Sequence, residues 1–460
     1  MSLKGSLVFG LAPLAVTLVL PAPESMSETA WWTAGLALTM ATWWLFEALP
    51  LAATALLPIA IAPLLGISDL NDVAKSYSHP VVLLFMGGFL LAKAIERSGL
   101  HYRLAHALLG FAGKNPRHVL AAIMLSTAFL SLWISNTSSA MVMAPIAAAI
   151  AGSQSNRPHF ASALMLGVAF AATIGGMGSL IGTPPNAIFA AHASETYGVA
   201  IGFAEWAAIG LPVATILLVA AWLVLASFPP VGRADLATGF GTCNSAMSAA
   251  EKRVAAIAGL TALAWICRPL MDAALPGLML TDAGIAILAA VLLFSAPDGQ
   301  GGRLLDWEGA QSIRWDVLIL FGGGLALAAL LDQSGLAAWI GGLTGTLQFL
   351  PTFALLLVIA AIVAYVGELA SNTAMAAIFL PIVGAMATSL QMDPIAFMLP
   401  VALSASIGFM LPVATPPNAI VFANPAVTRS RMLRAGAPLD LIGLIIAVGI
   451  SMLLTPIFLG

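Results

Sequence analysis

Apolar runs of roughly twenty residues, broken by short polar or Pro/Gly segments, dominate the sequence from end to end. A helix that crosses a bilayer needs a run of about that length. The runs predict spans at 7–21, 30–48, 50–66, 79–98, 160–195, 203–227, 253–270, 281–296, 314–335, 394–424 and 436–459, eleven in all. Two further stretches, 118–152 and 351–389, are too long for one helix, and each has a polar triplet in its middle. They read as re-entrant hairpins, which are tolerated at membrane depth only where protein or a wet cavity covers the turn. No run alternates with period two, so a transmembrane barrel is excluded. The expected fold is therefore an all-α polytopic membrane protein.

Composition agrees with the pattern. The 460 residues are 60% hydrophobic and only 8% charged, against about 25% charged in an ordinary soluble domain. That excludes a soluble enzyme, a nucleic-acid binder and a disordered scaffold. Cys243 and Cys267 are too few for a disulfide framework and lack metal spacing. With the N-terminus inside and both hairpins returning to their own side, 15 of the 17 basic residues fall on the cytoplasmic side and only Lys75 and Arg268 outside. This bias supports an N-in, C-out chain. The first run has a rival reading as a cleaved signal peptide, disfavoured by the Pro21–Pro23 region at the would-be cleavage site.

The sequence also repeats itself. Leu84-Phe85 matches Leu320-Phe321, a shift of 236 (320 − 84), and Gly87-Gly88, Ser98-Gly99-Leu100 and Pro145-Ile146 recur at the same shift. So does Ser135-Asn136-Thr137, as Ser371-Asn372-Thr373. Four residues are then lost, and Thr183-Pro184-Pro185-Asn186 matches Thr415-Pro416-Pro417-Asn418. The predicted organisation is an extra helix at 1–29, a first repeat at 30–227, a cytoplasmic linker at 228–252 and a second repeat at 253–460. Each repeat crosses the membrane an odd number of times, so the two are inverted. Inverted repeats with interrupted helices mark secondary transporters, with the binding site between the halves at mid-membrane.

The repeated motifs have a chemistry of their own. Ser, Asn and Thr are favoured helix N-caps, and Pro suits the first position of a new helix. Each triplet predicts a turn that opens a hairpin's second helix, and each Thr-Pro-Pro a break with Thr capping a fresh half-helix. Four helix N-termini then meet at one depth and offer free N–H groups to an anion without any buried Arg or Lys. A lone triplet is ordinarily interhelical hydrogen bonding, and a lone Pro-Pro a kink. Duplication of both, as a set and in register, favours a site. Ser131, Ser135, Gly367 and Ala370, with unwound carbonyls at Gly182 and Ala414, supply oxygens for a hard cation. Glu368 stands inside the second hairpin where the first has Leu132. It reads either as a functional carboxylate or as a structural group bonded to backbone N–H.

These triplets and breaks resemble those of the divalent anion/sodium symporter family, over nearly the whole chain. The resemblance implies an elevator-type transporter and a homodimer in lipid, in the bacterial inner membrane. It implies a scaffold at 1–100 and 253–335 and a moving transport domain at 118–227 and 351–460. It implies sodium-coupled symport of a divalent anion, a C4-dicarboxylate such as succinate. Two Na⁺ sites are implied, one at Ser131, Ser135, Asn136 and Gly182, the other at Gly367, Ala370, Asn372 and Ala414. Gly367 stands where the family has a threonine, whose carbonyl is the ligand. Asn136, Thr137, Thr183, Asn372, Thr373 and Thr415 are implied to meet the substrate carboxylates. The alternatives are a sodium-independent exchanger or proton-coupled permease of the same fold. An intramembrane enzyme is disfavoured by the absence of Ser–His, paired-Asp or HExxH constellations in the spans.

Overall fold

The computed structural model describes residues 3–110, 113, 115–152, 158–227, 246–274, 277, 279–343 and 350–458. Cys243, Lys114, Arg157, Arg233 and most of the predicted linker lie outside the described residues. Among the described residues all regular structure is helical apart from one isolated bridge, Pro297–Arg303.

The first half comprises α1 (Leu3–Val19), α2 (Glu28–Leu45), α3 (Leu51–Thr54), α4 (Leu57–Leu64), α5 (Leu70–Tyr77), α6 (Pro80–Ser98), α7 (Leu100–Leu109), α8 (Pro116–Ser131), α9 (Asn136–Gly152), α10 (Pro158–Met177), α11 (Pro184–Tyr197) and α12 (Phe203–Ser227). The second comprises α13 (Ala249–Ala274), α14 (Asp282–Ser295), α15 (Trp307–Gln311), α16 (Trp315–Gln333), α17 (Leu336–Leu343), α18 (Thr352–Gly367), α19 (Asn372–Ser389), α20 (Pro394–Ser404), α21 (Pro416–Phe422) and α22 (Arg429–Phe458). From α6 and α16 onward the two series correspond helix by helix, as the sequence repeat requires.

The repeated Ser-Gly-Leu is a helix terminator. Gly99 and Gly335 take φ of +79° and +81°, a left-handed conformation that glycine adopts without Cβ strain. They end α6 and α16, and the chain restarts at once as α7 and α17. These two short helices were not among the expected elements, because their apolar content is too brief to register as a span. The predicted span 50–66 is likewise split, into α3 and α4.

Among the described residues seven helices are long and apolar enough to cross a membrane. Other expected spans appear as shorter apolar helices, including Leu7–Val19, Asp282–Ser295 and Pro394–Ser404. Burial separates central from peripheral helices: 94% of the apolar window of α10 is buried, against 17% for α13. Helix α10 is therefore the core of the bundle, and α13 leaves most of its apolar surface for lipid. The close approach of α10 to α8 depends on Gly175, where a Cβ would lie 2.3 Å from the Ala128 carbonyl oxygen.

Candidate functional site

Two turns and two breaks define the site. The first turn joins α8 to α9. Ser135 Oγ accepts from Ser138 N at 3.1 Å and caps α9, as its residue type predicts. The second turn joins α18 to α19, with Ser371 in extended conformation at the N-cap but without a side-chain bond. The breaks separate α10 from α11 and α20 from α21. Thr415 Oγ1 accepts from Asn418 N at 3.3 Å. Thr183 occupies the equivalent position with near-identical backbone angles, but its hydroxyl caps nothing. The expected Thr cap therefore holds only in the second half.

A residue type unassigned at the sequence level holds both breaks open. Asn186 Nδ2 donates to Gly176 O at 3.1 Å and Ser179 O at 2.8 Å. Asn418 Nδ2 donates to Gly408 O at 3.0 Å and Leu411 O at 2.9 Å. Both side chains are wholly buried. The amide replaces the helical N–H groups that proline and the unwound backbone remove. Their repetition in register was the signal that could have found them.

The four helix starts line a single cavity of about 840 Å³. Ser135, Asn136, Thr137, Gly182 and Thr183 face it from the first half, and Ala370, Asn372, Thr373, Ala414 and Thr415 from the second. Phe46, Pro50, Phe85, Phe89, Val317 and Leu320 form much of the apolar wall. The cavity thus lies between the segments predicted as scaffold and those predicted as transport domain. Ser131 and Gly367 do not line it; both lie buried behind the turns.

The oxygens behind the first turn outnumber their protons. Ser131 Oγ lies 2.7 Å from Asn136 Oδ1 and 2.6 Å from Ala172 O. One hydroxyl hydrogen serves only one of those two acceptors. In the second half Asn372 Oδ1 is buried and has no hydrogen-bond partner. Surplus buried acceptors of this kind suit a hard cation held by neutral oxygens. Among the described residues no group of three or more His, Cys, Asp or Glu converges.

One expectation is corrected. The site was read as free of Arg and Lys, yet Arg314 lines the cavity together with Glu47 and Asp316. Arg314 is half-exposed and tied to Asp316, Nε–Oδ1 at 2.9 Å and Nη2–Oδ2 at 2.8 Å. Its charge is therefore partly neutralised by its partner. The triplets and breaks themselves carry no cationic side chain. Glu368 follows the structural reading: it accepts from Met410 N and Leu411 N, each at 2.9 Å. Asp440, which accepts from Phe409 N at 3.0 Å, was overlooked, although an acid inside the apolar run 436–459 is a signal in itself.

Known proteins share this organisation. The profile of the sodium:sulfate symporter transmembrane region matches residues 2–459. The sodium-dependent dicarboxylate transporter SdcS of Staphylococcus saprophyticus is 35% identical over 476 residues, covering 99% of this chain and 92% of that protein. SdcS of Staphylococcus aureus strain USA300 is also 35% identical, over 99% of this chain and 91% of its own. Among solved structures, the YdaH transporter of Alcanivorax borkumensis has a TM-score of 0.59 at 16% identity, covering 84% of this chain and 87% of its own. MtrF of Neisseria gonorrhoeae has a TM-score of 0.58 at 13% identity, covering 98% and 93%. At those identities the likeness is one of fold.

Proposed function

The chain belongs to the divalent anion/sodium symporter family, is a transporter and not an enzyme, and from that premise we propose that it couples Na⁺ to the uptake of a C4-dicarboxylate such as succinate. The observation that carries this reading is the convergence of both Ser-Asn-Thr triplets and both Thr-Pro-Pro breaks on one cavity. The sodium-dependent dicarboxylate relatives support the choice of ion and substrate.

In this reading the substrate carboxylates meet Asn136, Thr137, Thr183, Asn372, Thr373 and Thr415. One Na⁺ is held by Ser131, Ser135, Asn136 and Gly182, where the unshared acceptors around Ser131 fit a cation. A second is held by Gly367, Ala370, Asn372 and Ala414, where Asn372 Oδ1 awaits a partner. The ions neutralise the anion beside them, and the helix starts orient both.

Eleven spans and two re-entrant hairpins, α8/α9 and α18/α19, complete the proposed topology. The protein works as a homodimer, with 118–227 and 351–460 moving as an elevator against 1–100 and 253–335. Glu47, Arg314 and Asp316 stand at the cytoplasmic ends of the expected spans 30–48 and 314–335, so the cavity opens inward. On the opposite face the two domains are tied together. Arg268 of α13 pairs with Glu205 of α12 at 3.2 Å, Phe203 N donates to Asp282 Oδ2 at 2.8 Å, and Thr196 Oγ1 donates to Asp332 Oδ2 at 3.2 Å. These ties support an inward-facing state closed on the outside.

The test is uptake of labelled succinate into proteoliposomes with an inward Na⁺ gradient, against choline. Uptake only with Na⁺ is expected. Equal uptake in both would replace symport with sodium-independent exchange.

A further inference from the structure

The two breaks are built alike but are anchored by opposite chemistry. In the first half backbone carbonyls accept: Trp206 Nε1 donates to Met177 O at 3.0 Å, and Ser179 Oγ donates to Leu132 O at 2.6 Å. In the second half backbone N–H groups donate. Phe409 N reaches Asp440 Oδ1, and Met410 N and Leu411 N reach the two oxygens of Glu368. The positions correspond through the repeat, since 409 − 232 = 177, 411 − 232 = 179 and 368 − 236 = 132. Each break also docks on a glycine of the half's last long helix. A Cβ would lie 2.6 Å from Met177 O at Gly210 and 2.2 Å from Phe409 O at Gly436. Asp440 sits one turn beyond Gly436, and Trp206 one turn before Gly210.

The second anchor is the costly one. Glu368 is 2% exposed and Asp440 1%, and burying carboxyl groups is expensive unless they are fully hydrogen-bonded. Helices α18, α19 and α20 carry no other charged side chain. On α22 the remaining charges are Arg429, Arg431 and Arg434, on α12 Glu205, and on α10 only His159 can titrate. Among the described residues none of these is paired with Glu368 or Asp440. The two acids instead share the break between them, Asp440 taking Phe409 N and Glu368 taking Met410 N and Leu411 N. Three consecutive N–H groups of the break are thereby linked both to α22 and to the turn that opens α19. That turn carries Ala370 and Asn372, and the break runs on to Ala414.

We propose that Asp440 is a positioning residue for the second cation site, fixing the break on α22 while Glu368 fixes it on the turn, so that the Ala414 carbonyl faces Asn372. The first half achieves the same with neutral groups, so only the second site depends on a carboxyl anchor. The proposal rests on the sodium-coupled reading above.

It is tested on the full chain in proteoliposomes by titrating Na⁺ at fixed labelled succinate. Na⁺-dependent protection against thermal unfolding in detergent is read alongside. Asp440→Asn keeps an acceptor for Phe409 N. Its half-saturating Na⁺ is expected to stay within about twofold of the parent, the range of a near-neutral substitution. Asp440→Leu loses that acceptor, and its half-saturating Na⁺ is expected to rise about tenfold, the loss of one hydrogen bond to a charged group. Its succinate KM at saturating Na⁺ stays near the parent value. Asp440→Ser, too short to reach Phe409 N, is the substitute if the Leu variant fails to fold, and should show the same rise. An Asn variant as impaired as Leu or Ser would mean that charge acts rather than position, and would overturn the proposal. So would an unchanged Na⁺ dependence in a folded Leu or Ser variant. A parent protein with no Na⁺ dependence would instead overturn the sodium reading, and this proposal with it.

Discussion

Replacing Asn418 by Ala removes the two bonds that hold the second break open. Gly408 O has Asn418 Nδ2 as its partner, whereas Leu411 O also accepts from Ala414 N at 3.3 Å. An orphaned buried carbonyl costs about 1–3 kcal/mol. The bond to the still-partnered Leu411 O adds about 0.6–1 kcal/mol, in line with hydrogen bonds measured between membrane helices. The expected loss is therefore about 2–4 kcal/mol. Asn186→Ala should cost about the same, because Gly176 O and Ser179 O stand in the same relation to it and Ser179 O keeps a second donor, Gly182 N at 3.3 Å. Asp at either position is the sharper probe. It is nearly isosteric but turns acceptors toward two acceptors, so it should be at least as harmful as Ala. The assay is reversible SDS unfolding of the purified protein in mixed micelles. A cost under about 1 kcal/mol for both Ala variants, or Asp variants as stable as the parent, would refute the splint.

Three further outcomes are expected. Asn136→Ala and Asn372→Ala should each abolish succinate uptake in proteoliposomes while leaving a folded protein, because each serves cation and anion together; parental rates in both would reject the assignment. In a background lacking Cys243 and Cys267, a cysteine at Glu308 should react with a membrane-impermeant maleimide from the cytoplasm and one at Asp272 from outside; the reverse pattern would invert the topology. Arg268→Gln should loosen the outer ties to Glu205 and Asp282 and increase labelling from outside of a cysteine placed at Leu320 on the cavity wall. Unchanged labelling would show that those ties do not hold the inward-facing state.

Much of this was legible because the chain states it twice. A single Ser-Asn-Thr in an apolar run is ambiguous, but Asn136 and Asn372 each begin a helix at the same point of the repeat. What stayed hidden depends on distances across the bundle. No local pattern distinguishes Thr183, whose hydroxyl is idle, from Thr415, whose hydroxyl caps. Arg314 was assigned to the cytoplasmic side at the start of the span 314–335, and only the fold brings it to the cavity beside Glu47. Helices α7 and α17 escaped because hydropathy windows detect spans, whereas these elements are set by a glycine turn. Glu368 and Asp440, far apart in the chain, hold consecutive N–H groups of one break, and periodicity cannot report that.

The absence of a cation from the triplets and breaks has an energetic consequence. A half-helix start contributes about 0.3–1 kcal/mol to a bound anion, rising to about 2 kcal/mol when partly buried. Four of them supply about 1–8 kcal/mol at most, and α21, with 7 residues, falls toward the weak end. Removing two carboxylates from water costs several kcal/mol each, so the helix starts alone roughly break even. Arg314 does not close the gap, since Asp316 already holds it. A fixed Arg in the site would bind the dianion without any ion and uncouple the two. Leaving the charge to mobile Na⁺ makes anion and cation conditional on one another. Linkage then requires that the factor by which Na⁺ tightens succinate equal the factor by which succinate tightens Na⁺. Titration calorimetry on the purified protein should find the two factors equal and well above unity, and succinate affinity that is the same in Na⁺ and choline would refute the coupling.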